Sequence, residues 1–309
     1  MPSKKRRDPR LGDFFRSRAP SVRNLLQTVE KVLDHDVPVL IRGESGTGKD
    51  FLAEAIHICS NRRSEPFVEI DCPSIPADLF ESELFGHEKG TFTDAQSRKL
   101  GKLEVAGAGT VYFDEISALS SSLQAKLLRA FQEKSLTRLG GNQAVPFRAR
   151  VVSSTSADLE SLLAAGTFRR DLFYRINVVT VTMPPLRERA DDIPLLAAAF
   201  AGGPRRITSE AMDLLTAYGW PGNLRELRNA IERALLLAEG DAVTAAALPF
   251  EAPELVAAAT RAGWTLEKLE ETYIREVLRS TRSNFSRAAQ VLGINRKTLL
   301  EKRRKYGIE

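Results

Sequence analysis

A glycine-rich segment between two predicted elements has the residue types that hold phosphate groups. It follows an apolar run at 37–41, and we predict that a helix opens behind it at Phe51. The segment consists of Gly43, Glu44, Ser45, Gly46, Thr47, Gly48, Lys49 and Asp50. Glycines let backbone N–H groups turn toward phosphate oxygens, the helix N-terminus adds a positive dipole, and the lysine reaches the terminal phosphates. Strand, loop and helix in this order predict a nucleotide-binding loop.

Carboxylates at two places could serve the metal ion and the water of a hydrolysis reaction. Asp50 follows the lysine at the position where the general motif has a Ser or Thr ligand for Mg²⁺. Asp114 and Glu115 follow the apolar run at 111–113. Asp114 would hold Mg²⁺ directly or through water, and Glu115 would orient and deprotonate the attacking water. The alternative for this pair is two solvent-facing acids at the end of a strand.

Basic residues are concentrated near the C-terminus, where their pattern predicts DNA binding. Residues 282–305 contain eight basic residues and one acidic residue, although such a run can also be a solvated surface. Ala288 and Ala289 permit close helix approach, Gly293 supplies a turn, and Asn295 would cap a second helix. The predicted DNA contacts of this helix-turn-helix are Asn295, Arg296, Lys297, Thr298, Lys302, Arg303 and Lys305, on an exposed basic face. The alternative is a helical hairpin that only caps the rest of the protein.

Five apolar runs typical of buried strands alternate with helical stretches. They lie at 37–41, 67–70, 111–113, 151–153 and 178–181. Runs that are buried on both faces and separated by helices indicate a parallel sheet in an α/β domain. A helix is predicted over 21–34 with Ser21 as its cap, and the pattern is purely helical from 194 to 238.

The composition is that of a protein with a sizeable core and no membrane span. Hydrophobic residues make up 43% of the chain, yet no apolar run approaches the length that crosses a bilayer. The basic N-terminus is not followed by the apolar stretch of a signal peptide. Cys59 and Cys72 form no spaced framework, which favours a reducing cytosol. We therefore expect a cytoplasmic protein, and because its net charge of +5 is concentrated at the two ends, a polyanionic partner.

Four further motifs occur in a fixed order along the chain. They read ELFGHEKGTFTDA at 83–95, FRRDLFYR at 168–175, PPLRER at 184–189 and WPGNLREL at 220–227. Together with the phosphate loop they resemble the sigma-54-dependent transcriptional activators, the bacterial enhancer-binding proteins of the AAA+ class. The resemblance covers nearly the whole chain from about Ser21, and the C-terminal helix pair resembles the family's Fis-like output domain.

The resemblance implies an α/β fold with an AAA+ P-loop parallel-sheet domain, an all-α lid and a C-terminal all-α helix-turn-helix domain. The expected segments are a basic flexible tail at 1–20, the AAA+ ATPase core at 21–186, the helical lid at 187–240, a linker at 241–263 and the Fis-like DNA-binding domain at 264–309. About 20 residues precede the ATPase core in this sequence, so we expect the receiver domain of many relatives to be absent.

By the same resemblance, the chain hydrolyses ATP with Mg²⁺ in a homo- or hetero-hexameric ring. Arg169 and Arg175 would be arginine fingers that complete the ATP site of the neighbouring subunit. Six residues apart on one continuous helix, they would point about 120° away from each other. The alternative for each is an interface ion pair. Thr155 and Arg225 would sense the bound nucleotide.

The implied function is ATP-driven activation of transcription. The ring, bound at an upstream DNA site, would remodel the closed complex of sigma-54 RNA polymerase. Phe92 and Thr93, on a mobile loop, would contact the sigma factor. We expect no membrane among the partners of such a protein.

Four positions depart from the family pattern. Asp71 and Ser156 stand where the family has Asn in its nucleotide switch and sensor, and Thr91 and Asp94 replace Ala and Gly of the output loop. A carboxylate at 71 cannot donate the hydrogen bond of an amide unless protonated, and it would repel Glu115 if close. The alternative function is therefore a sigma-54-independent, DNA-binding AAA+ regulator that does not remodel the sigma factor. A third hypothesis, a AAA+ machine of replication or transposition, is disfavoured by the four motifs.

Overall fold

The computed structural model describes residues 9–15, 17–91, 97–203, 206–238, 242–249, 263–281 and 285–308. Its contacts divide the chain into two compact units. The first comprises Met1–Ala199 and Trp220–Asn229, and the second comprises Phe200–Gly219 and Ala230–Glu309. No helix within the described ranges is both long and apolar enough to cross a membrane.

The first unit is built on a parallel sheet, as the alternation of apolar runs predicts. The strands are β1 (Val39–Arg42), β2 (Phe67–Asp71), β3 (Gly86–His87), β4 (Lys99–Leu100), β5 (Thr110–Asp114), β6 (Ser135–Thr137), β7 (Ala144–Pro146), β8 (Arg150–Thr155) and β9 (Val179–Thr182). Five of them form one sheet in the order β2-β5-β8-β1-β9, with every pairing parallel. The other four form two antiparallel pairs, β3–β4 and β6–β7. Each of the five predicted strands is thereby confirmed.

Helices cover both faces of this sheet. They are α1 (Leu11–Phe14), α2 (Pro20–Glu30), α3 (Lys49–Ile58), α4 (Ala77–Phe85), α5 (Lys102–Val105), α6 (Ser121–Glu133), α7 (Leu159–Ala164) and α8 (Arg170–Ile176), and α9 (Ile193–Phe200) follows the last strand. Successive strand residues point to opposite faces, so Val39 and Ile41 join the cluster under α1–α3 while Leu40 joins the cluster under α4–α8. The carboxyl ends of the parallel strands meet at one edge, where β1 leads into the phosphate loop and β5 into Glu115.

The described residues 9–15 and 17–20 differ from the flexible tail expected over 1–20. Residues 11–14 form helix α1, and Leu11 is fully buried. The ring of Phe15 packs edge-on against Phe51 with centroids 5.1 Å apart. This apolar contact outweighs the basic composition that suggested a tail. Helix α2 begins at Pro20, not after a Ser21 cap, because proline fits the first helical position, where its missing N–H costs no hydrogen bond.

The remaining helices are α10 (Ser209–Ala217), α11 (Asn223–Leu237), α12 (Leu266–Ser280), α13 (Phe285–Val291) and α14 (Arg296–Lys305). They agree with the purely helical pattern predicted from 194 to 238 and with the predicted helix pair. Within the segment expected as a linker, the described residues 242–249 hold a short 3-10 turn at Ala245–Ala247. Helices α12–α14 share a core of buried side chains that includes Ile274, Ala288 and Leu299, and Gly293 makes the turn with φ of 65°.

Candidate functional site

The phosphate loop has a backbone that only glycine adopts without strain at two points. Gly46 has φ of 75°, and a Cβ at this position would stand 2.4 Å from the carbonyl oxygen of Gly222. Gly48, with φ of 92°, precedes helix α3, which begins at Lys49 and not at the expected Phe51. The earlier start places the positive end of α3 and its free backbone N–H groups directly at the loop.

The structure brings Lys49 and Glu115 together. The ammonium of Lys49, whose side chain is 6% exposed, lies 3.1 Å from Oε1 of Glu115. It also donates hydrogen bonds to the carbonyl oxygens of Gly43 at 3.0 Å and Glu44 at 3.3 Å. A strand end and a glycine loop that are distant in the sequence therefore form one site.

Asp114 accepts hydrogen bonds from neutral donors on β5 and β8, and Glu115 is anchored to β8 through its backbone, so the two are not left as solvent-facing acids. Asp114 Oδ1 accepts hydrogen bonds from the Tyr112 hydroxyl at 2.8 Å and from Ser154 Oγ at 2.5 Å. The backbone N–H of Glu115 donates to Ser154 Oγ at 3.1 Å. Glu115 has φ of 53°, a left-handed backbone that is uncommon for a non-glycine residue and concentrates at functional sites.

The carboxyl end of β8, where Thr155 and Ser156 lie, contacts Glu115 through a backbone N–H. The N–H of Ser156 donates to Oε2 of Glu115 at 2.8 Å. The hydroxyl of Thr155, expected to sense the nucleotide, instead donates to Ser117 Oγ at 3.0 Å and accepts from the N–H of Ala157. The contact to Glu115 thus does not use the side chain at 156, which is where the sequence departs from the family.

The carboxylate of Asp71 is hydrogen-bonded within the turn that follows β2. It accepts a hydrogen bond from the Ser74 hydroxyl, and its strand position pairs with Asp114 on β5. Burial, and then the negative charges of Asp114, Asp50 and Asp71, raise the pKa of Glu69. Within the described ranges, no three acidic, histidine or cysteine side chains could by themselves enclose a metal ion. The carboxylates of Asp50 and Asp114 still fit Mg²⁺, because this ion usually takes one or two carboxylates together with phosphate oxygens and water.

Two residues that sequence reasoning missed hold the phosphate loop from the lid side of the first unit. Arg187 donates to both carboxylate oxygens of Glu44, at 2.6 and 2.8 Å, and Asn223 donates to Glu44 at 3.2 Å. These hydrogen bonds lower the pKa of Glu44 to about 2. Arg225, expected as a sensor, donates to Ser45 Oγ at 3.0 Å. Arg187 and Asn223 lie within the PPLRER and WPGNLREL motifs, which were the available signal.

The two candidate arginine fingers do not share a helix. Arg169 precedes α8 with extended backbone, and its guanidinium forms a two-pronged ion pair with Asp171 at 2.7 and 3.0 Å. Arg175 lies in the last turn of α8 and donates to the carbonyl oxygen of Phe131 at 2.7 Å. The expected 120° separation on one helix therefore does not apply. In the described part of the chain, neither side chain contacts the phosphate loop of its own subunit, and both are exposed.

The predicted sigma-factor contacts Phe92 and Thr93 lie outside the described residues, as does Asp94. The segments on either side are described. Strands β3 and β4 pair antiparallel there, with Gly86 opposite Leu100.

The cap of the recognition helix is formed as predicted. The side chain of Asn295 accepts hydrogen bonds from the N–H of Thr298 at 2.8 Å and from the Thr298 hydroxyl at 3.0 Å. Both side chains thereby fix the start of α14.

The basic residues of α14 divide between two faces, which corrects the single exposed face predicted from the sequence. Lys302 and Lys305 form ion pairs with Glu270 and Glu267 on α12. Arg303 donates to the carbonyl oxygen of Ile308 at 2.9 Å. On α14, the exposed basic side chains without a partner among the described residues are Arg296, Lys297 and Arg304. Arg304, which the prediction left out, lies two helical turns from Lys297 and shares its face.

Comparisons with known proteins agree with this architecture. Residues 15–182 match the family described as Sigma-54 interaction domain, residues 187–263 match AAA+ ATPase lid domain, and residues 265–306 match Bacterial regulatory protein, Fis family. The lid match extends through the segment expected as a linker. The chain is 44% identical to the transcriptional regulatory protein ZraR of Salmonella typhimurium over 294 residues, which cover 92% of this chain and 67% of that protein.

Two further comparisons extend the likeness to a second regulator and to a solved structure. The chain is 43% identical to AlgB, the alginate biosynthesis transcriptional regulatory protein of Pseudomonas aeruginosa, over 97% of this chain and 69% of AlgB. The crystal structure of NtrX from Brucella abortus in complex with ATP superposes with a TM-score of 0.70 at 36% identity, over 95% of this chain and 69% of that one. The chain therefore belongs to the sigma-54-dependent enhancer-binding activators, a family of AAA+ ATPases with a Fis-type DNA-binding domain.

Proposed function

We propose that this chain is an ATP-driven activator that remodels the sigma-54 RNA polymerase closed complex while bound to an upstream DNA site. The observation that carries the proposal is the meeting of Lys49 and Glu115 at the phosphate loop, 3.1 Å apart. The matches to the Sigma-54 interaction domain and the Fis family support the output and the DNA partner. ATP binding by NtrX, a relative of the same fold, supports the nucleotide.

In this proposal, residues 43–50 bind the phosphates of ATP and Glu115 deprotonates the attacking water. Before nucleotide binds, the ion pair with Lys49 and the hydrogen bond from the Ser156 N–H hold the Glu115 carboxylate in place. Asp114 would hold Mg²⁺, which supplies positive charge to the phosphates when bound. Thr155 and Arg225 would report the nucleotide state from β8 and from the lid side of the loop.

Assembly and output complete the proposed cycle. Arg169 and Arg175 would act on the ATP of the adjacent subunit in a homo- or hetero-hexameric ring, which their exposure supports. Phe92 and Thr93 would contact the sigma factor. The proposed division of the chain is an ATPase core at 21–186, a lid at 187–240 and a DNA-binding domain at 264–309, working in the cytoplasm where promoter DNA is found.

DNA contact would come mainly from the exposed face of α14. Arg296, Lys297 and Arg304 are free to neutralise phosphates or reach base edges. Asn295 and Thr298 would set the start of the helix, while Lys302, Arg303 and Lys305 keep partners within the chain.

A regulator that binds DNA and nucleotide without remodelling the sigma factor is the second candidate. The observation that favours it is Asp71, whose carboxylate bonds to Ser74 and cannot serve Glu115 as an amide donor would. Asp94, where the family has glycine, adds a negative charge to the output loop.

Open-complex formation with purified sigma-54 holoenzyme separates the two candidates. We expect the wild-type chain to open the promoter with ATP. Phe92→Ala should abolish opening while ATP turnover and DNA binding stay near wild type, because a large apolar side chain on the loop would insert into the partner. Asp94→Gly should maintain or raise opening. Leu79→Ala, which also truncates an exposed apolar side chain, is the control. Equal activation by wild type and Phe92→Ala would favour the non-remodelling regulator.

A further inference from the structure

Thr91 connects two segments of the first unit that are far apart in sequence, the turn at 88–91 and the β6–β7 hairpin. Its Oγ1 donates to the carbonyl oxygen of Glu88 at 2.6 Å and to that of Leu139 at 3.0 Å. The first bond closes a local turn, whereas the second crosses to the turn of the β6–β7 hairpin. The single hydroxyl hydrogen is shared between the two carbonyls. A side chain without a hydroxyl could form neither bond.

The hairpin is shaped to receive this side chain. Gly140, next to Leu139, has φ of 71°. A Cβ at Gly140 would stand 2.4 Å from Thr91 Oγ1 and 3.1 Å from the Cβ and Cγ2 atoms of Thr91. The left-handed glycine therefore leaves the space that the threonine side chain fills.

Backbone hydrogen bonds and ion pairs surround the Thr91 contact. The N–H of Glu88 donates to Leu139 O at 3.0 Å, and the N–H of Leu139 donates to Gly86 O at 2.9 Å. Arg138, which is 4% exposed, binds Glu88 at 2.8 Å and Glu104 at 2.6 Å. Among the residues that form these contacts, Thr91 lies nearest in sequence to Phe92.

We propose that Thr91 is a positioning residue whose hydroxyl fastens the turn at 88–91 to the β6–β7 hairpin, so that this turn and the hairpin move as one body when the protein acts on the sigma factor. This inference rests on the proposed function. The described contacts of Thr91 are with Glu88, Leu139 and Gly140, none of which belongs to the nucleotide site. Its effect should therefore fall on the coupling of ATP turnover to opening and not on turnover itself.

The test uses the full chain and two substitutions: Thr91→Val, which keeps the shape of the side chain and removes the hydroxyl, and Thr91→Ser, which removes the methyl group and keeps the hydroxyl. Amide hydrogen exchange at Glu88 and Leu139 should become about two- to tenfold faster in Thr91→Val, the range expected for one lost hydrogen bond, and return toward wild type in Thr91→Ser. Open complexes formed per ATP hydrolysed should fall in the same order. Thr28→Val is the control, because within the described residues the Thr28 hydroxyl bonds to Asn24 O of its own helix α2.

The outcomes separate this inference from the proposed function. Unchanged amide exchange in Thr91→Val, or a serine variant as defective as the valine variant, would overturn the Thr91 contact. Faster exchange with unchanged opening per ATP would overturn its positioning role. If the wild type opens no sigma-54 promoter while exchange still responds to Thr91→Val, the proposed function fails and the contact stands.

Discussion

The ammonium of Lys49 lies 3.1 Å from a carboxylate oxygen of Glu115, which makes the phosphate-binding lysine and the proposed general base direct partners. Both side chains are partly or wholly buried, so little water screens the pair. Phosphate oxygens bound in the loop would compete with Glu115 for the same ammonium. Nucleotide binding would then free Oε1 of Glu115 to face water, while Oε2 remains hydrogen-bonded to the Ser156 N–H.

Glu115→Gln should bind ATP but turn it over at least about a hundredfold more slowly, because the attacking water loses its base. Nucleotide titration and steady-state ATPase assays measure the two properties separately. Glu54→Gln, an exposed position on α3, is the matched control and should behave as wild type. Normal turnover in Glu115→Gln would remove the assignment.

Mixing two inactive variants tests whether the arginines act on a neighbour. Arg169→Ala or Arg175→Ala subunits should each be at least about a hundredfold slower alone, since an arginine finger contributes that much or more. Added to Glu115→Gln subunits, which supply intact arginines, they should regain ATP turnover. If Arg175→Ala gains nothing from mixing, its hydrogen bond to Phe131 is structural and the finger assignment fails for that residue.

The two faces of α14 should respond differently to alanine substitution. Arg304→Ala should weaken DNA binding and reduce the slope of log affinity against log salt by about 1, because one phosphate contact is lost. Lys302→Ala, which breaks the ion pair with Glu270, should lower the melting temperature and leave that slope unchanged. Fluorescence anisotropy over a range of salt concentrations gives the slopes. The reverse pattern would restore Lys302 to the DNA-contacting set.

The contact between Glu44 and Arg187 should contribute to stability with a defined pH dependence. Hydrogen bonds from Arg187 and Asn223 lower the pKa of Glu44 from 4.5 to about 2. A lowered carboxyl pKa stabilises the fold fully above the unfolded value and loses this effect as pH falls through the folded value. Arg187→Ala should thus destabilise the protein by about 1 kcal/mol or less, since both side chains are nearly half exposed and solvent screens them. The melting-temperature gap from wild type should shrink as pH falls from 4.5 toward 2; a constant gap would contradict the assignment.

Much of this protein could be predicted from local sequence. A left-handed glycine loop followed by a helix, five apolar runs and an Asn295 cap each depend on residues close together in the chain, so the phosphate loop, the parallel sheet and the recognition-helix start were all expected. The ordered motifs likewise identified the family, which the family matches confirm. Such features follow from backbone sterics and from hydrophobic periodicity, which act over a few residues.

Tertiary structure alone decided which chemically similar residues have which partners. Lys302 and Arg304 are both basic residues of one helix, yet only the packing of α12 against α14 places Glu270 beside the first and leaves the second exposed. Leu11 likewise became part of the core, although it lies in a basic segment. Glu115 is reached by the Ser156 backbone and not by a sensor side chain, because β8 ends beside β5 in that register. An ion pair or a buried contact depends on distances across the fold, and those distances are set only when distant segments pack together.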